Sequence, residues 1–258
     1  MNKRTLAAIL ASSAVLFGAW ECLARAIGSP LILPAASSVL RDSARLFFER
    51  AFLADVAYTF ARGLVAFAAS FALSAALGAL SGTRPLFSAA LAPWMSVIKS
   101  TPVVSFILIA ILWFGSDIMP IFVAVLMTLP VMTEAFAQGA RSCDPKLLVM
   151  ARVYAIPRRK AFLAIRVPSA MPYVLAGAGA SLGLTWKVVV AGEILGFPRS
   201  GLGSAMQTAK VHLETTRVFS LTLVAIALSV ITELAFRAVA RAASRHVIPE
   251  TRREGERA

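Results

Sequence analysis

Cysteine and histidine are nearly missing from this 258-residue chain, which has two of each: Cys22, Cys143, His212 and His246. So few donors build no disulfide framework and no Cys/His metal-ligand spacing, so no metal ligand is assigned. Acids are also scarce, 13 Asp and Glu against 26 Lys and Arg. That leaves little from which to assemble a paired catalytic centre. The pattern G-x-x-x-x-G-K-[ST] does not occur, nor does G-x-S-x-G or H-E-x-x-H. The chain therefore carries no P-loop, no nucleophile elbow and no zincin helix, and no catalytic residue can be named. If it moves anything uphill, the energy comes from a partner or an ion gradient.

What the chain has instead is apolar length. Hydrophobic residues make up 59% of it, and the mean hydropathy is +0.78. That composition describes a polytopic, all-α membrane helix bundle, because a spanning helix needs about 20 apolar residues. Some six such stretches fit. The formal charge of +13 would point to nucleic acid in a soluble protein. Here it reads as basic residues retained on the inner side of a bilayer, with no nucleic-acid role.

Residues 5–27 follow Lys3 and Arg4 and form a first span, with Glu21 and Arg25 spaced to pair near its outer end. A cleaved signal peptide ending near Ala24-Arg-Ala26 is the alternative, but the apolar run is long for one. Residues 28–57 are a connector in which Ala36 to Phe52 is amphipathic and lies on the outer surface. Together, 1–57 form the entry unit and 58–240 the core. The second span is 58–80, where Gly78 and Gly82 are spaced for close helix approach. Residues 86–115 exceed one crossing, so part lies at the interface or the helix bends at Pro102. The fourth span is 118–140. The fifth is 173–195, with a second small pair at Gly179 and Gly183. The sixth is 218–239, and 241–258 is a basic tail. With both termini inside, sixteen Lys and Arg fall on inner segments against six on outer loops.

One polar interruption, 141–172, stands out. It holds seven Lys and Arg but a single acid, Asp144. Asp144-Pro145 is a helix start, and Leu147, Leu148, Ala151 and Tyr154 share one face of the helix that follows. Ile156-Pro157 breaks it. A second short helix from Arg158 is expected to end at Pro168 and Pro172, which turn the chain back into lipid.

The end of this segment, Ile165-Arg166-Val167-Pro168, resembles the cytoplasmic loop of binding-protein-dependent ABC importer permeases. That loop reads Glu-Ala-Ala, three residues, Gly, nine residues, Ile, any, Leu-Pro. Counting back puts Ala155 at the glycine position and Val149-Met150-Ala151 at the first three. Glu, the first Ala and Gly are absent, and Pro157 is the candidate to replace the glycine turn. Further along, Leu33-Pro34, Thr101-Pro102, Ile111-Leu-Trp-Phe-Gly115, Asp144-Pro145, Trp186 with Glu193, and Gly201-Leu-Gly203 resemble the nitrate, sulfonate and taurine branch. The resemblance implies a type I ABC importer permease fold. It implies a pair of such subunits (a homodimer or a related partner), two ATP-binding cassette subunits, and a periplasmic or lipid-anchored solute-binding protein. The setting would be a bacterial inner membrane. ATP would be bound by the partner subunits, with no cofactor in this chain. It also makes the helix before Pro157 a coupling helix, with Lys146, Met150, Ala151, Arg152, Tyr154, Ala155 and Arg158 as its ATPase-facing surface.

Lys99, Lys187 and Glu193 are ionisable residues within apolar segments. A charge at the bilayer centre costs about 2.5–3.5 kcal/mol on insertion scales, so each needs a cavity or a partner. Two readings stand: a translocation path for an anion, lined by Lys99, Thr101, Trp186, Lys187 and Glu193, or structural pairing and snorkelling to the interface. A secondary transporter or channel remains the competing class; it would show matched unwound half-helices, which the sequence does not reveal.

Overall fold

The computed structural model describes residues 3–247, and all regular structure among them is helical. In chain order the helices are α1 (Lys3–Ile27), α2 (Ala36–Leu46), α3 (Arg50–Thr83), α4 (Pro85–Ser100) and α5 (Val103–Trp113). They continue with α6 (Met119–Arg141), α7 (Pro145–Val153), α8 (Arg158–Ala161), α9 (Val167–Gly196), α10 (Leu202–Val211) and α11 (Thr215–Val247). Arg252, Arg253 and Arg257 of the basic tail lie outside the described residues.

Four stretches are long and apolar enough to cross a membrane: α3, α6, the rod 158–196, and 215–242 of α11. The pair α4 and α5, bent by 99° at Thr101-Pro102, is a broken span or a re-entrant loop and counts as a fifth crossing only in the first case. The bend falls where the residue before a proline avoids the α region. At 25 residues, α1 is about 37 Å long, enough to cross a core of about 30 Å. Six crossings thus require both α1 and the bent pair.

The centre is a three-helix layer in which α6 lies between α3 and α9. α3 and α6 run parallel, and α9 runs opposite to both. Parallel packing at close range follows from small residues on α3. A side chain on Gly78 would strike Phe136 and the Thr133 carbonyl, and one on Gly82 would strike Ala140. On the turns of α3 before these glycines, buried hydroxyls join the two helices. Thr128 Oγ1 donates to Ser70 Oγ at 2.8 Å and Thr133 Oγ1 to Ser74 Oγ at 3.2 Å. In an apolar surround such bonds average about 0.6 kcal/mol each. The second small pair behaves differently: Gly183 has open space where a side chain would go. Gly179 meets only the Phe236 ring of α11, at ordinary contact distance, so the pair is not a close helix crossing; Gly177 against Ala135 and Gly192 against Pro120 make the tight approaches of α9 to α6.

Helix limits depart from the sequence reading in three places. The amphipathic helix stops at Leu46 and α3 already begins at Arg50, so Phe52 belongs to the span. α2 lies at the surface as expected and buries Ala36, Val39, Ser43 and Leu46, mainly against α11. Its first turn is capped from α1: Ser37 N–H donates to Glu21 at 3.0 Å, and Arg25 pairs with Glu21 at 2.8 Å. Finally, Pro168 and Pro172 do not end a helix. α8, a π-helical turn at Phe162–Arg166 and α9 form one rod of 39 residues. Pro168 would clash with the carbonyl four residues back in a regular α-helix, and the wider π turn lies at that position.

Candidate functional site

Two regions of chemistry lie at opposite ends of the bundle. At the end where α3 and α6 finish, α7 stands out from the helix layer. Asp144 Oδ1 accepts from Lys146 N–H at 2.8 Å, with Pro145 at the first helical position, as the sequence predicts. The helix closes with a left-handed residue: Ala155 has φ 49°. Ile156 N–H donates to Ala151 O at 2.9 Å and Ala155 N–H to Arg152 O at 3.1 Å. This is a Schellman ending, usually made with glycine. The turn expected of Pro157 is therefore made by Ala155 itself, at the aligned glycine position. Left-handed backbone costs a non-glycine residue about 1–2 kcal/mol.

Lys146, Met150, Arg152, Tyr154, Ala155 and Arg158 are all exposed. Val153 and Tyr154 are 76% and 74% exposed, and Val149 and Met150 stand out beside them. Ala151 is the exception at 3%. It faces inward, so it supports the helix from behind and cannot form part of an outer surface. The predicted apolar face holding both Ala151 and Tyr154 is accordingly split. α7 is attached to the layer at its root, where Ser142 Oγ donates to Ser169 O at 2.9 Å, joining the end of α6 to the start of α9.

At the other end lies a buried ionic network. Asp55, Thr59 and Arg62 recur at one turn and two turns on one face of α3. Glu193 of α9, with no exposed surface, accepts from Arg62 Nη1 at 2.8 Å, from Thr59 Oγ1 at 2.8 Å and from Gly203 N–H at 3.0 Å. Arg62 also donates to Ser200 O and to Asp117 Oδ1, each at 2.6 Å. Asp55 Oδ1 accepts from Gly201 N–H at 2.8 Å. Gly201 has φ 150°, and a side chain there would strike the Glu193 carboxylate. The backbone N–H groups of Gly201-Leu-Gly203 thus go in turn to Asp55, to the Thr59 hydroxyl and to the Glu193 carboxylate. The network joins α3, α9, the start of α10 and the turn before α6.

Two of the residues expected on a translocation path lie inside the bundle. Glu193 is a structural partner of Arg62, and Trp186, 4% exposed, stacks on Phe60 with ring centroids 5.9 Å apart, above Gly63. Both side chains are enclosed by other residues of this chain. Lys187, between them, points outward on the α9 face that also carries Ala176, Ala180 and Gly183. Lys99 is exposed in the last turn of α4, and Thr101, at the bend, donates to Val97 O at 2.8 Å. Arg62 is an intramembrane ionisable residue that sequence reasoning missed. Its spacing with Asp55 and Thr59 was the available signal.

The architecture is a layer of membrane-length helices with a short capped helix projecting from one end. The profile described as the inner membrane component of binding-protein-dependent transport systems matches residues 71–245, and the chain belongs to that family. A probable ABC transporter permease of Brucella melitensis is 32% identical over 81% of this chain and 85% of its own length. The taurine transport permease of Escherichia coli K12 is 27% identical over 88% and 85%. The putative aliphatic sulfonates permease of Bacillus subtilis is 25% identical over 80% and 75%. Among solved structures, an amino acid ABC transporter crystallised with histidines shares the fold at TM-score 0.59 and 15% identity, covering 80% of this chain and 96% of that one. The chain is thus a membrane-spanning permease of an ABC importer, and the ATP-independent alternative is set aside.

Proposed function

We propose that this permease carries a small organic or inorganic anion, such as a sulfonate, taurine or nitrate, and is driven through α7 by a separate ATPase subunit. The relatives named for taurine and sulfonates support the cargo class. One of two cassette subunits binds α7 from the cytoplasm, the other binds the paired permease, and a solute-binding protein delivers the anion at the α10 end. The permease pairs with a second copy or a related chain, in an inner membrane with both termini cytoplasmic. The basic residues of 141–166 support that orientation.

The observation that carries the coupling role is α7 itself. It is capped at both ends, rooted between α6 and α9, and exposes Met150, Val153 and Tyr154 beside Arg152 and Arg158. Large apolar side chains held outward on a short, rigid helix fit a partner's cleft. Closing of the ATPase pair then moves α6 and α9 as one body and shifts the balance between the two open states. For the path, Lys187 on its small-residue face of α9 is the anion-facing residue, with Lys99 and Thr101 at the α4–α5 bend.

Co-purification with the ATPase tests the coupling surface. Arg152→Glu with Tyr154→Ala should lower its affinity by at least tenfold while the permease stays folded. Unchanged affinity in a folded double variant would refute the assignment.

A further inference from the structure

Two recesses at the α7 end share a wall. The first is an apolar groove of about 430 Å³ between α3, α6 and α9, running along α3 from Phe71 past Ala75 and Ala79 to Thr83. At 1.5 Å per residue that stretch is about 18 Å long, close to the ~15 Å of one hydrocarbon leaflet. Beyond its deep end, Phe236 of α11 meets Phe67 with ring centroids 6.0 Å apart. The second recess, of about 550 Å³, is lined by Arg152, Arg158, Arg159 and Arg166. Phe162 and Arg166, at the two ends of the π turn, line both.

The charge here is uncompensated. No acid lines either recess. Among the described residues none of the four guanidinium groups forms an ion pair. By contrast, the apolar groove between α1 and α11, lined by Trp20, Leu23 and Phe219 among others, has no cation in its wall. An apolar slot one leaflet deep, with basic side chains at its open end, matches one class of ligand. It needs a hydrocarbon chain continuous with an anionic head.

We infer that the groove holds an acyl chain of an anionic phospholipid, with the phosphate held by Arg166 and Arg159. These two guanidinium groups lie outside the proposed ATPase surface. The lipid packs against the root of the rod that carries α8 and α9, so the lipid composition of the membrane acts on the segment through which α7 is moved.

The test is native mass spectrometry of the full-length chain, delipidated and titrated with phosphatidylglycerol or phosphatidylcholine. The wild type should retain one phosphatidylglycerol in clear preference to phosphatidylcholine. Arg166→Gln and Arg159→Gln should each reduce that preference about fivefold, the weight of one basic residue near an anionic headgroup, and Arg166→Lys should keep most of it. Ala79→Trp, which fills the slot and leaves the charges in place, should abolish retention of both lipids. Thermal unfolding verifies that each variant is folded. Equal retention of the two lipids by the wild type would overturn the inference, as would an undiminished preference in the Gln variants. Retention by Ala79→Trp would overturn it by reducing the site to surface charge. Gln variants that keep the lipid but lose the ATPase would overturn it in favour of a protein contact.

Discussion

Arg62→Ala is the sharpest perturbation of this bundle. The Arg62 side chain is 7% exposed and Glu193 is fully buried. Removing the guanidinium leaves a buried carboxylate with only the Thr59 hydroxyl and the Gly203 N–H for partners. Breaking a buried pair in this way costs about 3–5 kcal/mol, mainly as uncompensated charge. The arm from Arg62 to Asp117, whose side chain is 66% exposed, adds at most about 1 kcal/mol because water screens it. For a chain of this size about 2–4 °C in Tm follows each kcal/mol, so Arg62→Ala should lower Tm by roughly 10 °C. The double variant Arg62→Ala with Glu193→Gln removes the stranded charge and should recover at least half of that loss. Thermal unfolding of the purified chain in nanodiscs measures both. A single variant within about 2 °C of wild type would refute the reasoning. So would a double variant no more stable than the single one, because the cost would then not reside in the buried carboxylate.

Other outcomes follow from the same geometry. Ala155→Gly should raise stability by about 1 kcal/mol by relieving the left-handed backbone, seen as a higher Tm with ATPase binding retained. Gly82→Leu should force α3 from α6 and lose several kcal/mol through overpacking, about 1–3 or more, read by unfolding and by loss of expression. Thr128→Val should cost only about 0.6–1.7 kcal/mol, because it removes one interhelical hydroxyl bond and keeps the volume. Lys187→Ala should weaken transport of an anion while leaving Tm unchanged, as an exposed side chain on an open face.

Local signals were readable because their causes are local. Asp144-Pro145 specifies a helix start within three residues, Thr101-Pro102 a bend, and Gly78 with Gly82 a close helix crossing. The Arg62 and Glu193 pair was not readable in the same way, since its partners are 131 residues apart and only the fold brings them together. That separation left Glu193 without a visible partner in the sequence. Ala155 gave no cue to its left-handed turn, because alanine has no preference for that region and only the aligned glycine position marked it. Pro168 read as a stop because the π turn at Phe162–Arg166, which absorbs its ring, has no sequence signature of its own; Pro172 lies within α9, and nothing local in the sequence marks it as tolerated there.

The central claim is that α7 is where the ATPase grips this permease. Hydrogen–deuterium exchange of the reconstituted permease, with and without the ATPase subunit, tests it directly. The account predicts new protection concentrated in residues 146–158, with the α10 end unchanged. Protection that appears elsewhere and leaves 146–158 exchanging freely would contradict it.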